Sequence, residues 1–234
     1  MRTSTVAESR PVEEVVERTK TVVLLSGGLD SSTLLYYLIS EGHDCYPLTI
    51  LYGQKHSKEM LAARNICEQL HLVKRLKILD LACLRSLLPS SLTTDTPVPE
   101  GKYDEPSMSQ TVVPGRNLIF LAIAAGYAEG LGAKYVAYAA HAGDHFIYPD
   151  CRPEFIRAAD FAIFSGYGVK VLTHFSLMDK GDIVKLGTKL EVPYWMTWTC
   201  YQGREKHCGK CGACDERKEA FAKAGVQDLT LYES

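Results

Sequence analysis

The chain has 234 residues, with 26 basic and 28 acidic side chains that leave a formal net charge of −2. This length fits one α/β domain with room for a small appendix. The balanced charge gives no strong attraction to nucleic acid or membrane, so neither is expected as a partner. The sequence contains no apolar run of about 18 residues, so we expect no transmembrane helix. The charged N-terminus lacks the apolar core of a secretory signal. We therefore expect a cytoplasmic protein.

Residues 1–20 are predicted to form a flexible N-terminal extension. After them, strand-like apolar runs alternate with helical patterns. The predicted strands are 21–25, 45–52, 72–78, 135–140 and 170–173. The predicted helices are 32–41, 58–70, 118–131, 154–164 and 180–190. This alternation predicts an α/β fold with a doubly wound parallel sheet over residues 21–192, whose ligands bind beyond the carboxyl ends of the strands.

The most distinctive motif directly follows the first predicted strand. It consists of Ser26, Gly27, Gly28, Leu29, Asp30, Ser31 and Ser32. Two glycines allow a tight turn and close approach of the backbone to a ligand, and Ser31 or Ser32 is expected to cap the next helix. Free N–H groups and the positive end of the helix dipole would then face one point. The motif therefore predicts an anion site that binds a phosphate chain.

This loop lacks the lysine that a Walker A loop requires. Its acidic residue, Asp30, instead suits a magnesium ion shared with pyrophosphate. The pattern S-G-G-x-D-S resembles the PP-loop of ATP pyrophosphatases. That resemblance implies cleavage of ATP between the α- and β-phosphates, which gives AMP and pyrophosphate. The alternative is an ordinary strand-to-helix turn with serine caps.

Four of the eight cysteines are clustered near the C-terminus with the spacing C-x7-C-x2-C-x2-C, at Cys200, Cys208, Cys211 and Cys214. In a reducing compartment such a cluster indicates metal binding rather than disulfides. Four thiolates predict a structural zinc site, which would make residues 193–234 a small zinc-binding lobe. A four-iron cluster is the first alternative, although the C-x3-C-P element of ferredoxins is absent after Cys214. Four unrelated free thiols are the second.

Three further motifs accompany the loop and the cysteines: Y-G-Q-K-H at 52–56, V-P-G-R-N at 113–117 and Y-P-D-C-R-P-E-F at 148–155. Together the five motifs resemble the 7-cyano-7-deazaguanine synthase family, often called QueC, over residues 22–221. The resemblance implies an ATP-dependent ligase that joins 7-carboxy-7-deazaguanine and ammonia through adenylated intermediates. The product would be 7-cyano-7-deazaguanine, a nitrile of queuosine-type biosynthesis. The resemblance also implies a homodimer.

Candidate site residues follow from these motifs. We assign the backbone of residues 26–32 to pyrophosphate, Asp30 to magnesium, and Arg116 to the triphosphate or the substrate carboxylate. Asp150 is expected to accept hydrogen bonds from the guanine-like edge, and Arg152 to bind the substrate carboxylate as a bidentate fork. For Arg116 the alternative is an exposed cation at the end of a loop. For Asp150 and Arg152 it is a turn held by their mutual ion pair.

Two neighbouring residues and two rival functions stay open at this point. Asn117 is either a binding residue or only the N-cap of the next helix. Cys151 is a conceivable nucleophile, but an adenylate already activates the substrate, so no covalent role is needed. The nearest rival function is a PP-loop enzyme that thiolates tRNA and carries a metal or iron–sulfur site. The other rival is a non-catalytic zinc-binding interaction module.

Overall fold

The computed structural model describes residues 18–102 and 106–233. The predicted N-terminal extension therefore lies almost entirely outside the described residues. Its last residue, Lys20, is already the first residue of a strand. The first strand thus begins one residue earlier than the sequence pattern predicts.

A single five-stranded sheet forms the centre of the described structure, with all its pairs parallel. Its strands are β1 (Lys20–Leu24), β2 (Asp44–Leu51), β3 (Lys77–Asp80), β4 (Tyr135–Ala137) and β5 (Lys170–Leu172). The spatial order is β3-β2-β1-β4-β5. The chain therefore builds outward from β1 in one direction and then in the other, and the crevice between β1 and β4 is where such sheets bind ligands. The predicted doubly wound parallel sheet is confirmed.

Within residues 18–102 and 106–233, six α-helices cover the two faces of the sheet. They are α1 (Leu29–Ser40), α2 (Lys58–Gln69), α3 (Arg116–Leu131), α4 (Pro153–Tyr167), α5 (Lys180–Lys189) and α6 (Gly212–Ala224). Neighbouring residues of β1 point to opposite faces, so Val23 packs with α1, α2, α5 and α6 while Val22 packs with α3 and α4. Both valines are fully buried. The two apolar layers explain why β1 is apolar without alternation.

The start of α1, the start of β3 and the presence of α6 differ from the prediction. Helix α1 begins at Leu29 with Gly28 as its N-cap, so the prediction of Ser31 or Ser32 as the cap is wrong. Those serines lie inside the helix because the tight turn ends sooner than expected. Strand β3 begins five residues later than predicted, because residues 72–76 form turns in which Leu76 N–H donates to the Leu72 carbonyl. Helix α6 has no counterpart among the predicted elements.

The helical segment Ser107–Leu131, which includes α3, is long and apolar enough to cross a membrane by length and composition alone. The buried residues of α3 are Leu121, Ala124, Ala125 and Ala128, and they belong to the apolar layer beneath β1 and β4. Small alanines allow the helix to lie close to the sheet. This face of α3 is therefore part of the core of the sheet domain.

The C-terminal segment is packed onto the main domain. Tyr194, Ala220 and Phe221 belong to the same apolar cluster as α1 and α5, and the rings of Tyr194 and Phe221 meet edge to face. Within α6, the fully buried Arg217 donates to the Tyr194 carbonyl and forms an ion pair with Asp228. These contacts fix the described part of the segment, residues 193–233, against the sheet domain; the standing of residues 193–234 as a separate lobe stays a prediction.

Candidate active site

A cavity of about 260 Å³ lies at the carboxyl ends of β1, β2 and β4. One side of it is formed by the glycine-rich loop, and another by polar and aromatic side chains from α2, α3 and the C-terminal segment. This is the position that the strand order predicts for a ligand. The loop, Arg116 and Asn117 all line this cavity, as do Cys151 and Glu216.

The two glycines of the loop serve different purposes. Gly27 has a φ of +85°, and a Cβ on it would lie 2.3 Å from the Glu59 carbonyl oxygen and 2.5 Å from the Ala63 nitrogen. Only glycine allows α2 to approach the loop so closely. The Gly27 carbonyl also accepts a 2.9 Å hydrogen bond from the Trp198 N–H. The loop is therefore held between α2 and the C-terminal segment.

The loop ends at the N-terminus of α1, where free backbone N–H groups can bind an anion. Because Gly28 is the N-cap, the N–H groups of the first helical turn at Leu29, Asp30 and Ser31 have no acceptor within the helix. The Ser26 and Ser31 hydroxyl oxygens are 2.9 Å apart, and Gly28 N–H donates to the Ser26 hydroxyl. These bonds hold the loop in shape before any ligand arrives. The terminus can bind the negative oxygens of a phosphate chain.

Five charged or polar side chains meet beside this loop: Asp30, His141, Asp144, Lys180 and Glu216. The Lys180 Nζ lies 3.2 Å from an Asp30 oxygen and 2.5 Å from a Glu216 oxygen. Burial lowers the pKa of Lys180, but the charges of Asp30 and Glu216 outweigh it and raise the pKa well above its usual value. The lysine is therefore a permanent cation among carboxylates.

His141 is fully buried within this cluster, 3.4 Å from Asp144 and 3.9 Å from Glu216. Its Nδ1 accepts a hydrogen bond from the Gly143 N–H. Since that bond uses the Nδ1 lone pair, the hydrogen of the neutral ring is on Nε2, which faces the carboxylates. His141 therefore donates to the cluster and is poorly suited to ligate a metal; the carboxylate oxygens are the better ligands.

Another part of the cavity lining is aromatic and contains a fourth carboxylate, Glu59. Burial raises the pKa of Glu59 to about 7, against the opposing effects of Arg116 and a hydrogen bond from Gln54. The guanidinium of Arg116 lies 5.5 Å from the centre of the Tyr52 ring. Burial also lowers the pKa of Arg116, but Tyr52 and other neighbours raise it above its usual value, so this side chain stays charged. Arg116 is thus a half-buried cation of the site.

Asp150 and Arg152 are not among the residues that line the cavity. An Asp150 oxygen accepts a hydrogen bond from the Asn117 N–H at the start of α3, and the Arg152 Nε donates to the His145 carbonyl. The substrate contacts predicted for Asp150 and Arg152 therefore stay predictions. Asn117 is the second residue of α3, whose N-cap is Gly115, so the prediction of Asn117 as that cap is wrong.

Cys151 does line the cavity, and the Asn117 side-chain amide donates to its sulfur at 3.4 Å. Burial raises the pKa of the Cys151 thiol, and the Asp144 charge raises it further. The thiol is therefore neutral at physiological pH and a poor nucleophile. This agrees with the expectation that the reaction needs no covalent cysteine.

The four clustered cysteines come together as predicted. Their sulfurs all lie within 4.8 Å of one another, and those of Cys208 and Cys214 are 3.9 Å apart. A tetrahedral zinc site with Zn–S bonds of about 2.3 Å separates its sulfurs by about 3.8 Å. Thiolates on four different irons of a cluster would lie farther apart. The cysteines can therefore hold one metal ion such as zinc.

Backbone N–H groups point at the cysteine sulfurs. Gln202 and Cys208 donate to the Cys200 sulfur, and Lys210 and Cys211 donate to the Cys208 sulfur, at 3.3 to 3.4 Å. Such bonds stabilise sulfur in its thiolate form, which is the form that ligates a metal. The turns around these residues are thus built for thiolates.

Several residues of the site are absent from the sequence-based prediction: Glu59, Asp144, Lys180 and Glu216. Glu59 is next to the predicted start of α2 and close to the Y-G-Q-K-H motif. Its position beside this motif is the sequence feature that could have identified it as a site residue. Lys180 and Glu216 come from α5 and α6, more than 140 residues after Asp30 in the sequence. No local pattern identifies them.

The sheet order, the phosphate-binding loop and the cavity beside it define an α/β nucleotide-binding protein of the PP-loop class. The fold is similar to that of a 4-thiouridine synthetase solved in complex with RNA and bound ATP, with a TM-score of 0.50 and 22% identity. The alignment covers 76% of this chain and 42% of that one. The chain belongs to the QueC family, because the family model described as "Queuosine biosynthesis protein QueC" matches residues 20–225.

Curated relatives agree with the family match along their whole length. A 7-cyano-7-deazaguanine synthase of Methanoregula boonei is 51% identical over 92% of this chain and 99% of its own. A protein of the same name from Caldicellulosiruptor bescii is 49% identical over 92% of this chain and 97% of its own. The predicted family is confirmed, and the match does not support the alternative of a tRNA-thiolating enzyme.

Proposed function

We propose that this chain is an ATP-dependent ligase that converts 7-carboxy-7-deazaguanine and ammonia to 7-cyano-7-deazaguanine. The observation that carries the proposal is its 51% identity over 92% of the chain to a protein named for that product. The cavity supports it chemically, because a phosphate-binding loop and an aromatic, charged end line the same space. The reaction joins a nucleotide and a guanine-like acid. The phosphate-binding loop suits the nucleotide, and the aromatic, charged part of the lining suits the acid.

The first half of the reaction activates a carboxylate. A carboxylate oxygen attacks the α-phosphorus of ATP, the bond to the β-phosphate bridging oxygen breaks, and pyrophosphate leaves. The first-turn N–H groups of α1 would bind the departing pyrophosphate, and Lys180 would offset negative charge that develops near Asp30. Ammonia then adds to the acyl carbon, AMP leaves and a proton is lost, which gives the amide.

The second half removes water from that amide. The amide oxygen attacks the α-phosphorus of a second ATP, and pyrophosphate leaves again. Loss of AMP together with two protons from nitrogen then gives the nitrile. Both halves break the same bond of ATP, so one phosphate-binding loop serves both. A single cavity is therefore enough for the whole sequence.

A magnesium ion fits the carboxylates beside the loop. Among the described residues, the buried Oδ1 of Asp30 has no hydrogen-bond partner, and Asp144 and Glu216 also line the cavity. Magnesium usually binds one or two carboxylates together with substrate phosphates. Asp30 would hold it, with Asp144 or Glu216 as the second ligand. When bound, it would neutralise charge on the leaving pyrophosphate.

We assign zinc to the four cysteines, since a single ion with four thiolate ligands is a structural site. A cytoplasmic location is supported by the eight cysteines, all of which are free. For the homodimer, the most suitable surface is on α4, where Phe161 is 74% exposed and Phe164 and Tyr167 lie on consecutive turns. Exposed aromatic side chains of this kind are typical of interfaces.

Mass spectrometry of the purified chain with ATP, magnesium, ammonium and 7-carboxy-7-deazaguanine tests the proposal. We expect the nitrile, with two AMP and two pyrophosphate formed per product. Asp30→Asn should lose at least about 100-fold in rate, the usual cost of removing one group that stabilises transition-state charge. A parallel reaction with tRNA and a sulfur donor examines the rival function. Sulfur transfer without nitrile formation would refute the proposal.

A further inference from the structure

The carboxylates that line the cavity fall into a cluster of three and one that lies outside it. Asp30, Asp144 and Glu216 all lie within 4.0 Å of the His141 ring nitrogen, next to the phosphate-binding loop. Among the described carboxylates that line the cavity, Glu59 is the one that lies outside this cluster. It lies instead near Tyr52, among the aromatic side chains of the lining. A ligand that binds against these rings meets a carboxylate outside the His141 cluster.

The carboxylate of Glu59 is held in place from three sides. It lies in the first turn of α2, and the backbone of that turn packs directly on Gly27. The Gln54 side-chain oxygen accepts a 2.8 Å hydrogen bond from the Tyr52 N–H, so the amide nitrogen of Gln54 is directed to donate to Glu59. Arg116 supplies a positive charge from α3. Glu59 is thus preorganised before a ligand binds.

Aromatic rings surround this carboxylate. Tyr52 is 7% exposed, and its ring centre lies 5.8 Å from that of Phe120. Tyr148 and Tyr201 also line the cavity, and their hydroxyl oxygens are 3.3 Å apart. Rings of this kind offer flat apolar faces to a planar heterocycle. The combination of aromatic faces and one fixed carboxylate suits a flat ligand that has hydrogen-bond donors on one edge.

We propose that Glu59 is the specificity residue that accepts hydrogen bonds from the ring N–H and the exocyclic amine of the guanine-like substrate. This inference rests on the proposed function. A guanine-type edge presents two adjacent donors, and a carboxylate presents two acceptors at matching spacing. Asp150, for which this role was predicted, bonds instead to the start of α3 outside the cavity lining. Arg116 is left to the substrate carboxylate.

The electrostatics of the site agree with this assignment. Burial raises the pKa of Glu59 to about 7, so the ionised form is poorly stabilised in the free enzyme. A ligand with two N–H donors would stabilise that form and lower the pKa again. A ligand without the amine would leave one carboxylate oxygen without a partner, which is costly in a buried site. The site would therefore reject purine-like acids that lack the amine.

The test compares two acids, 7-carboxy-7-deazaguanine and its analogue without the 2-amino group, in wild-type enzyme and Glu59→Gln. For wild-type enzyme we expect kcat/KM to favour the guanine-type acid by about 10- to 100-fold, which corresponds to one charged hydrogen bond. In Glu59→Gln that preference should fall to within about threefold, because the amide cannot accept from both donors. Calorimetric binding of each acid without ATP provides a second readout.

Glu68→Gln is the matched control, because Glu68 is on the same helix with a half-exposed side chain paired to Arg64. It should keep the wild-type preference. Glu59→Asp keeps the charge and should retain part of the preference, which covers the case that Glu59→Gln does not fold. If Glu59→Gln lowers kcat/KM equally for both acids, so that the preference is unchanged, the inference is overturned while the proposed function stands. Wild-type enzyme that makes no nitrile would overturn the proposed function, and this inference with it.

Discussion

Replacing Gly27 by alanine should loosen the junction between the phosphate-binding loop and α2. The φ of +85° at this position costs alanine about 1 to 2 kcal/mol. The new methyl group would also lie 2.3 Å from the Glu59 carbonyl oxygen and 2.5 Å from the Ala63 nitrogen. Both contacts are with backbone, which cannot rotate away, and such overpacking typically costs a further ~1 to 3 kcal/mol. Gly27→Ala should therefore lose about 2 to 5 kcal/mol of unfolding free energy.

The neighbouring glycine provides the control. A methyl group on Gly28 would meet the Ser26 hydroxyl at 3.3 Å and the Trp198 carbonyl at 3.6 Å, and Gly28 has a φ of −76°, which alanine tolerates. The unfolding free energy of Gly28→Ala should change by less than about 1 kcal/mol. Urea unfolding followed by circular dichroism measures both, and the midpoint of Gly27→Ala should fall by on the order of 1 M. Equal midpoints for the two variants would refute the argument that α2 restricts the loop.

Three further predictions address the metal, the oligomer and pH. Cys211→Ser should lose bound zinc by metal analysis and lower nitrile formation, whereas Cys83→Ser, at an exposed thiol, should change neither. Phe161→Glu should shift a homodimer to monomer in analytical ultracentrifugation, and an unchanged mass would exclude this face. Binding of 7-carboxy-7-deazaguanine without ammonium should weaken about tenfold from about pH 8 to pH 6, because Glu59 with a pKa of about 7 must be ionised. Its charged neighbour Arg116 and the Tyr52 hydroxyl, whose pKa burial raises to about 12, do not titrate there, so Glu59→Gln should show a flat profile.

The features that sequence predicted best are those written in a short stretch of chain. The loop around Asp30 and the turns of the cysteine cluster are local, because a few adjacent residues fix both the backbone path and the ligand groups. The parallel sheet was also predictable from alternating apolar runs. The exact start of α1 was not, since Gly28 and the serines are all acceptable caps, and the packing of α2 on Gly27 decides between them.

The features that sequence missed depend on distant parts of the chain. Lys180 and Glu216 meet Asp30 only after α5 and α6 pack beside α1. Helix α6 itself was missed because its first turns contain cysteines and charged residues rather than an apolar stripe. In the structure the buried side of α6 includes the fully buried Arg217, whose charge is neutralised by Asp228. Because arginine is mostly found at the surface, sequence alone predicts an exposed position for Arg217 unless its acidic partner is known.

The same helix explains why an enzyme that acts on small molecules would keep a structural metal site. Cys214 and Glu216 are two residues apart on α6, so the turn that binds the metal also positions a carboxylate 2.5 Å from Lys180. On the other side of the cluster, Trp198 precedes Cys200 and donates its N–H to the phosphate-binding loop at Gly27. The cysteines thus join the two segments that close the cavity. As a structural site, a metal ion there would contribute no chemistry to the reaction, yet its loss would release the cavity wall and the loop together.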